Sequence, residues 1–332
     1  MRAADERRLA VGFFDGVHLG HQAILKGADA ALTFRSHPLE VLSPERAPVL
    51  LMTVEERVAA IRACGVDEVT VLDFTPELAR MTAEAFVGKL AEAALNGQDA
   101  RSPSNGRTGA VNGQDARSPR GDRSGAVNGQ DARSPVNTPL EGVVVRCGDN
   151  WRFGAGGRGD ANFLRTCGIG VEVVPYAVYA GEAISSSRIR RALAEGEVAA
   201  AAAMLGRRYV VRGESVSGKG LGVQLGFPTL NVRPGRPLPL KTGVYAVEVG
   251  GAKGVANFGL APTMGDRAWS EPVLEVHLLE AVESCRQPSI AVEFVDFIRD
   301  ERRFDSLAAL RCQIAADCDF VRSRSVGDEP AT

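Results

Sequence analysis

Two hydrophobic patterns divide the chain. Up to about residue 205, short apolar runs at 9–12, 30–34, 69–74, 143–145 and 171–174 read as buried strands. Between them, apolar positions recur at helical spacing around 18–26, 54–64 and 83–95. Strands alternating with helices predict a parallel sheet covered on both faces, with its ligand at the strands' carboxyl ends. After Gly206 the texture changes. "YVVRGESVSG", "QLGFPTLNV", "GVYAVEVGG", "KGVANFG", "VLEVHLLE" and "IAVEFVDFIRDE" are strand candidates broken by Gly and Pro, the pattern of a small antiparallel barrel or sandwich. A terminal helix is expected from Ser306, a candidate N-cap, with Leu307, Leu310, Ile314 and Cys318 on one stripe. The Ala-rich "EVAAAAAMLG", closed by Gly206, marks the expected boundary.

One segment follows neither pattern. "NGQDARSP" occurs at 96–103, 112–119 and 128–135, separated by Gly, Arg and Ser. Large apolar side chains are almost absent, so 96–139 is expected to be a disordered repeat insertion on the surface.

Composition narrows the function. A length of 332 residues suggests about two domains, and 45% hydrophobic with 24% charged residues suits a globular protein. A net charge of -2 and 6% aromatic residues argue against nucleic acid as a partner. No apolar run approaches the roughly 20 residues that span a bilayer, so no membrane association is expected. The start, "MRAADERRLAVG", lacks the apolar core of a secretory signal, and the six cysteines show no CxxC spacing. Reduced thiols and a cytoplasmic enzyme are the expectation.

The first candidate chemistry lies in "GFFDGVHLGH", just behind the first apolar run. His18 and His21 are spaced i, i+3 and project from one helix face. Gly20 between them lets a ligand approach the backbone, and N–H groups at a helix start favour phosphate. Two imidazoles there could donate to the charge growing on an α-phosphate under attack, worth roughly 3–4 kcal/mol each. Solvated or capping histidines are the plain alternative.

"GFFDGVHLGHQ", "TFRSHPLEVL", "CGDNWRFGAGGRGD" and "ISSSRIRRALAEGE", in that order, resemble the FMN adenylyltransferase half of the prokaryotic bifunctional riboflavin kinase/FAD synthetase family. The resemblance implies a Rossmann-like nucleotidyltransferase domain with a parallel sheet, in which His18 and His21 act on the α-phosphate. Gly12, Phe14, Asp15 and Gly20 would lie on the nucleotide, Asn150 would hold the adenylyl phosphate or flavin-side groups, and Ser186, Ser187 and Arg190 would meet the ATP phosphates. N-capping of a helix from Arg188 is the other reading of the serines. Asp15 could equally cap the turn, and His37 reads as a loop-ordering residue.

"GESVSGKG" nearly spells a P-loop, but Gly220 stands where the magnesium-binding hydroxyl belongs and no helix follows. A flexible flap over phosphates, with Gly218, Lys219 and Gly220, is the remaining reading. In "GFPTLNV", Thr229 and Asn231 sit i, i+2 on a strand and share a face, a placement suited to a hydrated magnesium carrying phosphates. In "VLEVHLLE", Glu275 and His277 share the face opposite Leu274, Val276 and Leu278. A carboxylate aimed into a small barrel's pocket suits a general base, with a solvated outer face as the alternative.

This half resembles the riboflavin kinase module of the same family through "LGFPTLN", "GVYAVEV", "NFGLAPTMG", "LEVHLLE" and "IRDERRFDSLAALRCQIAAD". The resemblance implies a six-stranded antiparallel β-barrel with a terminal helix, Mg-ATP on Thr229 and Asn231, and Glu275 as the base for the ribityl 5′-hydroxyl. The expected organisation is 1–205 adenylyltransferase domain, 206–325 kinase domain and 326–332 flexible tail. Riboflavin, FMN, FAD, ATP and Mg2+ are the expected ligands, and the sequence leaves room for a weak homo-oligomer. The first helix is short, Ala183 replaces a basic residue, Leu221 replaces an arginine, and the insertion precedes Asn150. These departures leave one alternative, a riboflavin kinase with a degenerate adenylyltransferase domain.

Overall fold

The apolar runs of the first half become five parallel strands, β1 (Arg7–Val11), β2 (Ala30–Phe34), β3 (Glu68–Leu72), β4 (Val143–Gly148) and β5 (Gly170–Val174), in the order β3-β2-β1-β4-β5. The computed structural model describes residues 6–95, 140–217, 222, 225–259, 273–280, 287 and 289–323. The NGQDARSP repeats, Gly218–Gly220, Leu221 and the tail at 326–332 lie outside the described residues. The chain steps outward from β1 to β3, then returns to add β4 and β5 on the other side of β1. The winding therefore reverses between β1 and β4, which opens a crevice beyond their carboxyl ends.

Alternation along the strands fills both faces. Leu9 and Val11 of β1 pack with Phe86 and Leu90 of α5 (Ala83–Leu95). Ala10, pointing the other way, packs with Ile24 and Leu25 of α1 (Leu19–Leu25) and Ile61 of α3 (Val54–Ala63). The capping box at Thr53 and Glu56 starts α3. Shorter helices, α2 (Pro38–Leu42), α4 (Pro76–Arg80) and α6 (Ala161–Thr166), fall where the sequence pattern gave no periodic signal. Behind a small hairpin of β6 (Val178–Tyr179) and β7 (Glu182–Ala183) come α7 (Ser186–Glu195) and α8 (Val198–Leu205).

The six strand candidates of the second half close a barrel. They are β8 (Tyr209–Val216), β9 (Leu230–Pro234), β10 (Gly243–Val249), β11 (Ala252–Gly259), β12 (Val273–Leu278) and β13 (Ser289–Arg299), in the order β10-β11-β12-β9-β8-β13 with antiparallel neighbours. Val211, Val232, Tyr245, Ala256, Leu274, Val276 and Phe294 share one core. Ile189 and Leu193 of α7 and Val198 and Leu205 of α8 belong to that core, so the Ala-rich helix is buried against the barrel. Gly206 ends it in the left-handed region at φ 71.

The last helix, α9 (Leu307–Ser323), lies on the barrel's outer face, where Cys318 and Val321 meet Val244, Ala246 and Val255. Ser306 caps it by accepting from the Ala309 N–H at 3.1 Å. The expected stripe shifts toward the C-terminus: Leu307 is exposed, and Val321 takes its place in the buried row. Asp317 is buried beside Cys318 because Arg299 of β13 meets it with a fork of hydrogen bonds at 2.8–3.2 Å. Among the described residues, no helix is long and apolar enough to cross a membrane.

Candidate active sites

The first site forms where β1 runs into a tight turn. Phe14 and Val17 adopt φ of 57° and 41°, and Gly16 between them sits at 83°. This turn delivers His18 as the N-cap of α1, its ring nitrogen Nδ1 accepting the His21 N–H at 3.3 Å. The proton of neutral His18 therefore sits on Nε2, leaving that atom as a donor. One N–H of the first turn is thus spent on His18 and is not free for a phosphate. Gly20 has a closer reason than ligand access. A Cβ there would lie 3.2 Å from His18 Cε1, so only glycine lets the ring fold over the helix start without displacement.

The two imidazoles stack at 3.6 Å between centroids, and Phe14 meets His21 edge-on at 5.4 Å. Burial, then the charge of Arg207, pushes the His18 pKa down to about 4. Burial, then His18 and Arg57, lowers that of His21 well below the usual range. Both rings are neutral at pH 7. The unfolded chain takes protons on these rings below about pH 6.5, whereas folded His18 resists them down to about 4. The stability that His18 contributes is thus complete above about pH 6.5 and is lost as pH falls toward 4, by about 1.4 kcal/mol for each step of one in pH. The urea midpoint should accordingly drop between about pH 7.5 and 5, and His18→Gln should flatten that dependence.

Asp15 is buried and works inside the turn. Its carboxylate accepts from the Leu51 N–H at 2.9 Å and from Arg190 at 2.8 Å, while its carbonyl accepts from the Ser186 hydroxyl at 2.9 Å. Ser186 and Arg190, far away in sequence, are thereby drawn onto the histidine loop. The cap of α7 is Ser185, which accepts from the Arg188 N–H, so Ser186 and Ser187 are both inside the helix. Ser187 is exposed and lies 3.4 Å from Arg190 Nη1, and Arg190 Nε is buried without a partner. Phe14 is fully buried, so its side chain supports His21 and Gly12 and can meet a nucleotide only through its main chain. Asn150 is exposed just beyond β4, the strand that pairs with β1. His37 orders its loop through a capping box with Glu40 and an edge contact to Phe13 at 4.8 Å.

The sequence reading missed Arg57. It is fully buried, donates to the carbonyls of Phe34 and of Arg35 (3.0 Å), and lies 4.3 Å over the Phe13 ring. An arginine on the second turn of a capped helix reads as solvated, and nothing local marks it otherwise.

The second site is a row across three barrel strands. Glu275 of β12 stands directly opposite Asn231 of β9 on one side and Asn257 of β11 on the other. Opposed residues share a face with Cβ atoms about 4.5–5.5 Å apart. That face is not the interior, which Leu274, Val276 and Val232 fill. The expectation of a carboxylate pointing into the barrel is therefore corrected: with a side-chain period of two, burying Leu274 and Val276 turns Glu275 outward. Thr229 directly precedes β9. Gly222 packs against it, and the Phe227 N–H donates to the Gly222 carbonyl at 2.7 Å. His277 Nδ1 lies 2.9 Å from the Pro228 carbonyl and its ring meets Phe227 edge-on. Asn257 and Glu301, 3.2 Å apart, extend the row and were not singled out from sequence.

The donors in this row are hydroxyl, amide and carboxylate oxygens, the set that suits a hard cation shared with phosphates. Among the described residues, no group of three or more His, Cys, Asp and Glu side chains could hold a metal by itself.

Comparison with known proteins follows the same division. A family model described as FAD synthetase matches residues 2–115, and one described as riboflavin kinase matches 205–324. A bifunctional riboflavin kinase/FMN adenylyltransferase of Escherichia coli strain K12 is 32% identical over 328 residues, covering 93% of this chain and 90% of its own. Its counterpart in Pseudomonas fluorescens is 30% identical over 332 residues, covering 94% and 91%. A crystal structure described as a macrolide-efflux protein from Streptococcus pneumoniae has the same fold, with a TM-score of 0.72 and 24% identity over 98% of this chain and 96% of that one.

Proposed function

Because the chain belongs to the bifunctional riboflavin kinase/FMN adenylyltransferase family, which makes FMN and then FAD, we propose a division of labour between its two sites. Residues 1–205 carry adenylyl transfer from ATP to FMN, and residues 206–325 carry phosphorylation of riboflavin. One observation carries the assignment. Candidate residues distant in sequence collect into two sets, one at the winding reversal of a parallel sheet and one on a single barrel face.

In adenylylation, an oxygen of the FMN phosphate attacks the α-phosphorus of ATP, and pyrophosphate leaves. Negative charge builds on the α-phosphate oxygens. His18 donates from Nε2 as a neutral imidazole, held by the Nδ1 contact to the His21 N–H. His21, stacked on it, supplies the second ring of the pair. Arg190 and Ser187 face the leaving phosphates, with Arg190 set by Asp15. Gly12 and Gly20 keep side chains off the approach, and Asn150 holds the adenylyl phosphate or the flavin side. Fixed donors of this kind need no reorganisation as the charge develops.

In phosphorylation, Glu275 takes the proton of the ribityl 5′-hydroxyl as that oxygen attacks the γ-phosphorus and ADP leaves. Thr229 and Asn231 would hold Mg2+, which neutralises phosphate charge when bound. His277 keeps the Pro228–Thr229 backbone in place. Gly218, Lys219 and Gly220 are assigned to binding the ATP phosphates. The same reading puts the protein in the cytoplasm, where ATP is made and its thiols stay reduced.

The test is a time course. Purified protein given riboflavin, ATP and magnesium should form FMN first and FAD after it. Absence of FAD while FMN accumulates would revive the kinase-only alternative, which the paired family matches do not favour.

A further inference from the structure

Arg207 follows α8 and leads into β8, yet its guanidinium reaches back to the turn that presents His18. Nη2 donates to the Gly16 carbonyl at 2.7 Å, and Nη1 to those of Val17 at 3.2 Å and Leu205 at 3.3 Å. Gln22 of α1 donates to the same Val17 and Leu205 carbonyls at 3.0 and 2.8 Å. The turn they clasp contains Phe14 at φ 57° and Val17 at φ 41°, values a bulky or β-branched L residue rarely adopts. Such strain persists only where the surroundings over-determine it. The residue after Val17 is His18, so the direction of its ring depends on this clasp.

We propose that Arg207 is a positioning residue for adenylyl transfer, fixing the strained 14–17 turn that aims His18 at the phosphate. The inference rests on the assignment of His18 to that reaction. Arg207 is itself placed by the barrel: Tyr209, two residues on, is buried in the barrel core, and Arg208 is ion-paired to Glu248 of β10. A second barrel-side arginine acts on the same loop system. Arg236, past β9, donates to the Leu50 and Leu51 carbonyls at 2.9 and 2.6 Å, while the Leu51 N–H is the group that Asp15 holds. The kinase barrel is thus part of the scaffold of the adenylyl site.

Charge adds a signature that packing alone would not give. The charged and titratable groups facing the pair are Arg207 beside His18, Arg57 beside His21, and the two imidazoles on each other, while Asp15 of the same turn is paired with Arg190. Arg207 itself faces Cys64 and Glu56. Its positive charge opposes protonation of His18.

The experiment uses the full chain with Arg207→Gln, Arg207→Lys and His18→Ala, measuring FAD from FMN and FMN from riboflavin across pH. Arg207→Gln is expected to lower FAD formation on the order of tenfold to a hundredfold, mainly in kcat, as misplacement by about 1 Å does. Its acid limb should move upward toward the free-imidazole range, while phosphorylation stays at the wild-type rate. Arg207→Lys keeps the charge without the fork, so its rate should fall but its acid limb should stay. Equal effects on the two activities in both arginine variants, whether none or total, overturn the proposal. Unchanged FAD formation in His18→Ala would instead overturn the assignment beneath it.

Discussion

His18→Ala should reduce FAD formation from FMN by roughly 10²–10³-fold while FMN formation from riboflavin continues, which separated flavin products will read directly. The expectation follows from two features of the ring. Its Nδ1 is occupied by the His21 N–H, which leaves Nε2–H as a donor, and burial with Arg207 keeps it neutral across the working pH range. A neutral donor held in place strengthens its bond only as charge grows on the α-phosphate, so the loss should appear in kcat more than in KM. Alanine also removes the cap of α1, costing about 1 kcal/mol of stability. His18→Asn separates the two effects, since an Asn side chain caps well but lacks the imidazole. It should fold as the wild type does and remain deficient in FAD formation. Wild-type FAD formation in both variants would remove His18 from the mechanism.

The complementary change is Glu275→Gln. Riboflavin phosphorylation should fall by about 10²–10⁴-fold, the range for a positioned general base, while FAD formation from supplied FMN persists. Gln has the shape of Glu and keeps the same place in the row between Asn231 and Asn257, so the fold should survive. From riboflavin, this variant makes neither product, whereas His18→Ala stops at FMN. The two variants therefore fail at different steps. If Glu275→Gln phosphorylated riboflavin at the wild-type rate, the carboxylate would be a feature of the barrel surface and not the base.

Much of the molecule could be read along the chain, because its signals are local. Apolar runs set the five parallel strands, and short runs between Gly and Pro set the six barrel strands, because burial acts residue by residue. The strand expected at 69–74 is found at Glu68–Leu72, because pairing with β2 ends at Leu72 although the apolar pattern runs on to Phe74. Ser185 was overlooked as the cap of α7 since three serines in a row offer equal hydroxyls, and only the packing of Ser186 against the Asp15 carbonyl chose among them. Glu275 and His277 could be placed on one face from their spacing, but whether that face was inside or outside depended on how the whole barrel closed.

By itself the sequence determined the order of elements, the two domain types and the residue types able to steady charge on phosphorus, since each is written in spacing over a few positions. Tertiary structure alone decided that Asp15 ties Leu51, Ser186 and Arg190 to one loop, that Arg57 is buried, and that Arg207 and Arg236 reach from the barrel side to the Gly16 and Leu51 carbonyls. Those contacts join segments far apart along the chain. A charged side chain becomes an internal clasp only when another segment brings carbonyls to it, and no local pattern records that meeting.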